Sequence, residues 1–278
     1  MRQAMVKMES VWQRTAEFLS DNVTVVLPIA IAAIFVPTTI SQAVQPLHAD
    51  SGQALQVVLA ILTLIFTLLS IWGQAAIMAL AIDPTIGRSA ARTGARRMPA
   101  IIGTGLLLLL ALLVLLLPIY LVLAPDGAGA WTLASGNAKP SPAAMAAIVL
   151  YAIVLIVILV IAFARLVLIT PVIVAERRGI GAIRRSWRLT RGRTAAMVGL
   201  ILLYAVIVIV AQLAAKTVLG SVLLLIFGGD GVINVATVLT AIGVGLVIMI
   251  FTVLQAAFLA KLYVALADPA ELNAAVPA

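Results

Sequence analysis

The sequence predicts an all-α polytopic membrane protein, with six transmembrane helices, an N-terminal interfacial amphipathic helix and cytoplasmic elbow helices. Three observations predict it. Of 278 residues, 64% are hydrophobic and only 10% are charged, where soluble domains carry about 25% charged residues. Mean hydropathy is +1.23. The apolar residues fall into six long runs, and a bilayer core of about 30 Å needs roughly 20 helical residues to cross it. A soluble single-core protein and a disordered chain are excluded. So is a β-barrel, whose spans are about 10 residues long with strict alternation.

Residues 1–22 form the first element. Met5, Met8, Trp12, Thr15 and Leu19 recur at helical spacing, and Phe18 joins that stripe. Arg2, Lys7, Glu9, Arg14 and Glu17 supply the polar positions. The pattern fits a helix lying in the membrane interface, or one packed on the protein itself. Residues 23–267 form the transmembrane domain, with spans at 23–44, 55–82, 101–123, 144–175, 195–215 and 232–267. The first run is longer than the apolar segment of a signal peptide. The second, fourth and sixth exceed the bilayer and must tilt, kink or emerge from it. Pro28, Pro37, Pro118 and Pro171 are the expected kink sites. Residues 126–142, rich in Gly, Ala, Ser and Pro, read as a flexible connection, and the Gly-Gly-Asp-Gly at 228–231 as a turn. Residues 268–278 are the tail.

Orientation follows from counting basic residues. Arg2, Lys7 and Arg14 precede the first span. Arg88, Arg92, Arg96 and Arg97 follow the second. Arg177, Arg178, Arg184, Arg185, Arg188, Arg191 and Arg193 follow the fourth, and Lys261 ends the sixth. The opposite loops carry only Lys139 and Lys216, and Arg165 lies within a span. Positive charge concentrates on the cytoplasmic side of membrane proteins, so both termini are expected in the cytoplasm. Tyr120 and Trp131 then fall near the outer interface, Trp187 and Tyr263 near the inner one.

Little catalytic chemistry is on offer. There is no cysteine and a single histidine, His48, so thiolate chemistry and Cys-ligated metal are excluded. No His and carboxylate cluster has metal-ligand spacing. No Gly-rich phosphate loop and no activated nucleophile is apparent. The expectation is no catalytic residue, no cofactor and no metal. Nucleic acid is disfavoured because the basic residues, despite a net charge of +8, are committed beside the bilayer. Gly103 and Gly105 in the third span, and Ala241, Gly243 and Gly245 in the sixth, would permit close helix approach.

The two basic loops resemble each other. Residues 86–97 read IGRSAARTGARR and residues 183–193 read IRRSWRLTRGR. Aligning Arg88-Ser89 on Arg185-Ser186 brings Thr93 onto Thr190 and Arg96 onto Arg193. Either a span–elbow–span unit is duplicated, or two Arg-rich loops share a composition. On a helical projection of the second loop, Ile180, Ile183 and Trp187 share a stripe flanked by Arg184, Arg188 and Arg191. Trp187 at headgroup level would let those guanidinium groups form paired hydrogen bonds to lipid phosphates. Arg184, Arg185, Trp187, Arg188 and Arg191, with Arg88, Arg92 and Arg96 of the first loop, are therefore the candidate anionic-lipid contacts. The alternative is that they anchor topology alone.

The stretch RLVLITPVIVAERRGIGAIRRSWRLTRGR, residues 165–193, resembles the membrane domain of glycerophosphoryl diester phosphodiesterases. The matching positions are Arg165, Pro171, Glu176, Gly181, Ala182, Arg185, Ser186, Trp187, Leu189, Thr190 and Gly192. The six-span layout extends the resemblance loosely over the chain. In the named enzymes the phosphodiesterase chemistry resides in a separate soluble barrel, which is expected to be absent here, so the resemblance carries over no catalytic activity. It implies a stand-alone domain of the bacterial inner membrane.

One further polar set stands out. Gln74, Arg165 and Gln255 lie at similar depth on the three spans running toward the basic side. If they converge, they make a polar pocket for an anionic headgroup; otherwise each glutamine bonds to a neighbouring helix. Arg165 either serves a ligand pathway or snorkels to the inner interface. The sequence thus points to a non-enzymatic membrane protein engaging anionic lipids in membrane or envelope organisation. The alternative is a transporter or flippase for a lipid or small anionic solute, with Arg165 in its path.

Overall fold

The computed structural model describes residues 8–48, 52–123, 141–177, 179–228 and 234–267. The connection at 124–140 with Trp131 and Lys139, most of the Gly-Gly-Asp-Gly turn, the tail, and the helix start at residues 1–7 lie outside the described residues. Those described form helices and turns with no strand. Six helical segments are long and apolar enough to cross a membrane: Val23–Leu47, Gln53–Ile82, Pro84–Leu121, Pro142–Glu176, Thr194–Phe227 and Val235–Leu266. The chain is a multi-pass membrane protein. Helices dominate because, in lipid, every backbone polar group must find its partner within the segment.

In chain order, α1 is Met8–Asp21. The first span comprises α2 (Val23–Ala30), a π-helical turn at Ile31–Phe35 and α3 (Val36–Val44). The π turn has a local cause. Pro37 has no N–H for the carbonyl of Ala33 and its ring crowds it, and widening the preceding turn relieves both. The second span is α4 (Gln53–Ile82). Asp83 caps the 3-10 turn Pro84–Ser89 by accepting from the Thr85 N–H at 3.0 Å.

The third helix, α5 (Ala90–Leu123), begins earlier than expected and carries Arg92, Arg96 and Arg97 on its opening turns. The first basic loop therefore contains no separate elbow helix. A sharp turn at Gly87, with φ +48°, leads into a helix continuous with the span. Pro118 lies inside α5 without breaking it.

The fourth span is broken into α6 (Pro142–Leu166) and α7 (Ile169–Glu176). Pro171 accounts for the break, since its ring clashes with the carbonyl of Val167, four residues back. The elbow α8 (Gly181–Leu189) follows. The fifth span runs from α9 (Thr194–Leu213) through a π turn at Ala214–Leu219 into α10 (Gly220–Phe227). Lys216 therefore lies inside a 34-residue helical segment, not in a loop after residue 215. A charge ends a hydropathy window, but it does not end a helix. The sixth span is α11 (Val235–Leu266), capped by the Asn234 side chain, which accepts from the Thr237 N–H at 2.8 Å.

The core sits at the arginine-bearing end. Residues Ala75–Ala81 of α4 are all buried, as are most of α7 and Ala256, Ala257, Ala260, Leu262 and Tyr263 of α11. Small residues bring the helices together: a Cβ at Gly94 would lie 2.8 Å from the Ala76 nitrogen. Gly243 meets Leu219 and Gly245 meets Thr39, whereas Gly103 and Gly105 face open space. Toward the other end the helices splay. In the second to fifth spans, 6% of the most apolar stretch is buried, against 28% in the first and sixth. Leu110, Val114, Leu150, Ile156 and Leu225 stand exposed there, a surface suited to acyl chains.

The structure bears on the two readings of α1 and corrects one expectation, for Tyr263. The apolar stripe of α1 is Val11, Thr15 and Phe18, and it is covered by the protein itself. The Lys261 ammonium lies 4.8 Å from the centre of the Phe18 ring. Among the described residues of α1, Trp12 is the large apolar side chain left exposed, at 52%, and it is tilted against Phe258. Tyr263 is not an interfacial aromatic either: it is 1% exposed, because its hydroxyl has a partner inside the bundle.

Candidate functional site

The residues from Arg165 to Arg193 build one assembly around the broken fourth span. Where α6 ends, the carbonyl of Arg165 accepts a hydrogen bond from the Ser186 hydroxyl at 2.8 Å. The Thr190 hydroxyl lies 2.9 Å from the Ser186 carbonyl and 3.2 Å from that of Arg165. The carbonyls at a helix end need such partners. Ser186, Thr190 and Ala182 are fully buried, so one face of α8 is stapled to the break. Gly192, at φ +83°, then turns the chain into α9.

The Arg165 guanidinium lies at the positive-charge-favouring C-terminus of α6. It donates to the Trp187 carbonyl at 3.4 Å and sits 5.1 Å from the centre of the Trp187 ring, a cation–π arrangement. Its Nε is buried without an acceptor. A second tie closes the far end. Arg185 Nε donates to Glu176 Oε1 at 2.8 Å, and the Tyr263 hydroxyl donates to the same oxygen at 3.0 Å. The Arg185 and Glu176 side chains are 5% and 7% exposed. A carboxylate at the C-terminus of α7 opposes the helix dipole, so Arg185 and Tyr263 help to hold this buried charge.

Arg185 is therefore not available to lipid, contrary to the expectation from its place in an arginine run. The other face of α8 is. Arg184, Trp187 and Arg188 are exposed, and so is Arg191 just beyond the helix. Ile180 is 68% exposed beside them. Arginines, a tryptophan and an isoleucine on one surface match the amphipathic chemistry of a membrane interface.

The first loop lies next to the second. Arg97 stands within the electrostatic reach of Arg177 and of Arg96, and its Nε is buried without an acceptor. Arg88, Arg92 and Arg96 are exposed. Both loops thus present positive charge on the same end of the bundle. Their local structures differ: Thr93 donates to the Ser89 carbonyl at 3.2 Å, as Thr190 does to Ser186, but Ser89 is exposed and Ser186 fully buried.

Gln74, Arg165 and Gln255 are not joined. Gln74 donates to Ser70 of its own helix at 3.3 Å. Gln255 lines a cavity of about 360 Å³ with Trp12, Tyr204 and Phe258. Among the described residues no hydrogen bond links any two of the three. Equal depth along three helices does not fix the side on which each residue faces. An apolar cavity of about 730 Å³ lies between α5, α6, α7 and α9 and includes Leu166 and Thr170, but Arg165 lines neither cavity. Among the described residues, no group of three His, Cys, Asp or Glu side chains could hold a metal.

Sequence reasoning missed Ser186, Thr190 and Tyr263 as structural donors. The signal was present in Ala182, Ser186 and Thr190, which recur at helical spacing as small residues opposite Trp187. Comparison with protein-family models, curated proteins and solved structures finds no significant match.

Proposed function

We propose that this chain is a bacterial inner-membrane protein resembling the membrane domains of glycerophosphoryl diester phosphodiesterases. It engages anionic lipid at the cytoplasmic face and catalyses no reaction. The observation that carries this reading is the division of α8 into two faces. Ala182, Arg185, Ser186 and Thr190 hold it against the broken fourth span. Arg184, Trp187, Arg188 and Arg191 remain exposed on the opposite face. A rigid mount spares much of the ordering cost when lipid headgroups bind. Arg88, Arg92 and Arg96 add charge from the neighbouring loop.

The test is native mass spectrometry of the full chain with phosphatidylglycerol. The R184Q/R188Q/R191Q variant should retain on the order of a hundredfold less of that lipid, since each of the three basic residues contributes about 1 kcal/mol beside an anionic leaflet. Equal retention by a folded variant would overturn the reading. Transport through Arg165 has less support, because its guanidinium is engaged with Trp187 and lines neither cavity near it.

A further inference from the structure

At the end of the bundle away from the arginines, the end of the first span, the fifth span from its π turn onward and the first turns of α11 line an open pocket of about 360 Å³. Its volume lies in the range of small-ligand sites. Gln42, Gln45, Lys216, Thr237 and Thr240 add polar groups to a lining that is otherwise apolar, a larger polar share than in the other cavities of the bundle.

Lys216 is the key group. It lies inside the π turn, and such turns recur at functional sites. No proline accompanies this one. The chain remains helical and apolar for eleven residues beyond it, and Leu225 and Ile226 are 86% and 66% exposed. The Lys216 backbone therefore lies about 16 Å from the end of its helix, with its side chain exposed at the pocket and flanked by surface suited to acyl chains. A charge at such a position is costly unless paired. No carboxylate among the described residues lies at this end, and no hydrogen bond or ion pair to Lys216, Gln42 or Gln45 exists among them. The Thr240 hydroxyl donates to Ala236 and keeps only acceptor capacity. Three donor groups thus face one cavity with one positive charge.

We propose that this cavity binds a singly charged phosphate group. The Lys216 ammonium would supply the counter-charge, as lysine does for phosphate elsewhere, and the carboxamide N–H groups of Gln42 and Gln45 would complete the cradle. Close packing of Gly220 on Thr240 and of Gly243 on Leu219 holds the fifth span against the sixth, which fixes the lysine's position. The phosphate arrives either as the diester of a lipid headgroup or as a free anion. This site is independent of the arginine-bearing face.

Acetylation of Lys216 by acetic anhydride tests this. The full chain is held in neutral maltoside detergent, labelling is read by peptide mass spectrometry, and Lys261 serves as reference. Phosphatidylglycerol or inorganic phosphate should slow Lys216 acetylation about tenfold, the worth of one charge-assisted bond. Protection by the lipid alone identifies a headgroup; protection by inorganic phosphate identifies a free anion. Gln42→Leu, which leaves the lysine in place, should weaken the protection severalfold. R184Q/R188Q/R191Q should leave it unchanged, which separates this site from the elbow. Lys216 acetylation unaltered by either probe would overturn the proposal.

Discussion

The hydroxyl of Tyr263 lies 3.0 Å from Oε1 of Glu176, which ties the last turn of the sixth span to the end of the fourth. The same oxygen receives Arg185 from the elbow. Three helices, α7, α8 and α11, therefore meet on one carboxylate at the basic end of the bundle.

Removing one partner of a buried ion pair leaves an uncompensated charge, at a cost of about 3–5 kcal/mol. R185Q and E176Q should each lower stability by that order in detergent unfolding. The double variant should cost clearly less than the two together, because no lone charge remains. Strict additivity would mean that the pair does not couple.

Tyr263→Phe removes one donor and leaves Arg185 in place. A hydrogen bond to a charged group contributes about 1.5–3 kcal/mol. The loss in unfolding free energy should fall in that range, smaller than for R185Q. A neutral outcome would show that the hydroxyl is satisfied elsewhere.

Ser186→Ala and Thr190→Val should loosen the elbow from the break at 167–168 while leaving the spans intact. Hydrogen exchange should rise in residues 181–191 and stay unchanged in α4 and α11. Uniform exchange across the chain in the double variant would contradict the staple.

Gly94→Leu introduces a side chain where even a Cβ would lie 2.8 Å from the Ala76 backbone. Overpacking of this kind costs about 1–3 kcal/mol or more. Gly103→Leu, which meets open space, should be nearly neutral. Comparing the two variants by thermal unfolding checks that the second and third spans close-pack at the basic end.

The span count was legible because bilayer thickness imposes a length on every apolar helix. The exposed arginines were legible because helical spacing set Arg184, Arg188 and Arg191 beside Trp187. The role of Arg185 was not, since neighbours in an arginine run differ only by a rotation that packing decides. Nor was the break after Leu166 resolved. Pro171 announced a kink, but not that Ser186 and Thr190 would meet the Arg165 carbonyl there. The depth of Gln74, Arg165 and Gln255 could be counted from the sequence. Their facing could not, and they do not meet. Lys216 looked like a loop residue because charge, not backbone geometry, defined the end of the fifth span.

The two faces of α8 are the central claim, and the chain has no cysteine to complicate site-specific labelling. Spin labels at A182C, R184C, S186C, R188C and R191C, in nanodiscs of neutral and of anionic lipid, test it most directly. Labels at 184, 188 and 191 should report headgroup depth and become more immobile with anionic lipid, while 182 and 186 stay shielded from both lipid and water. Labels at 184, 188 and 191 that sense only bulk water in both nanodiscs would contradict the account.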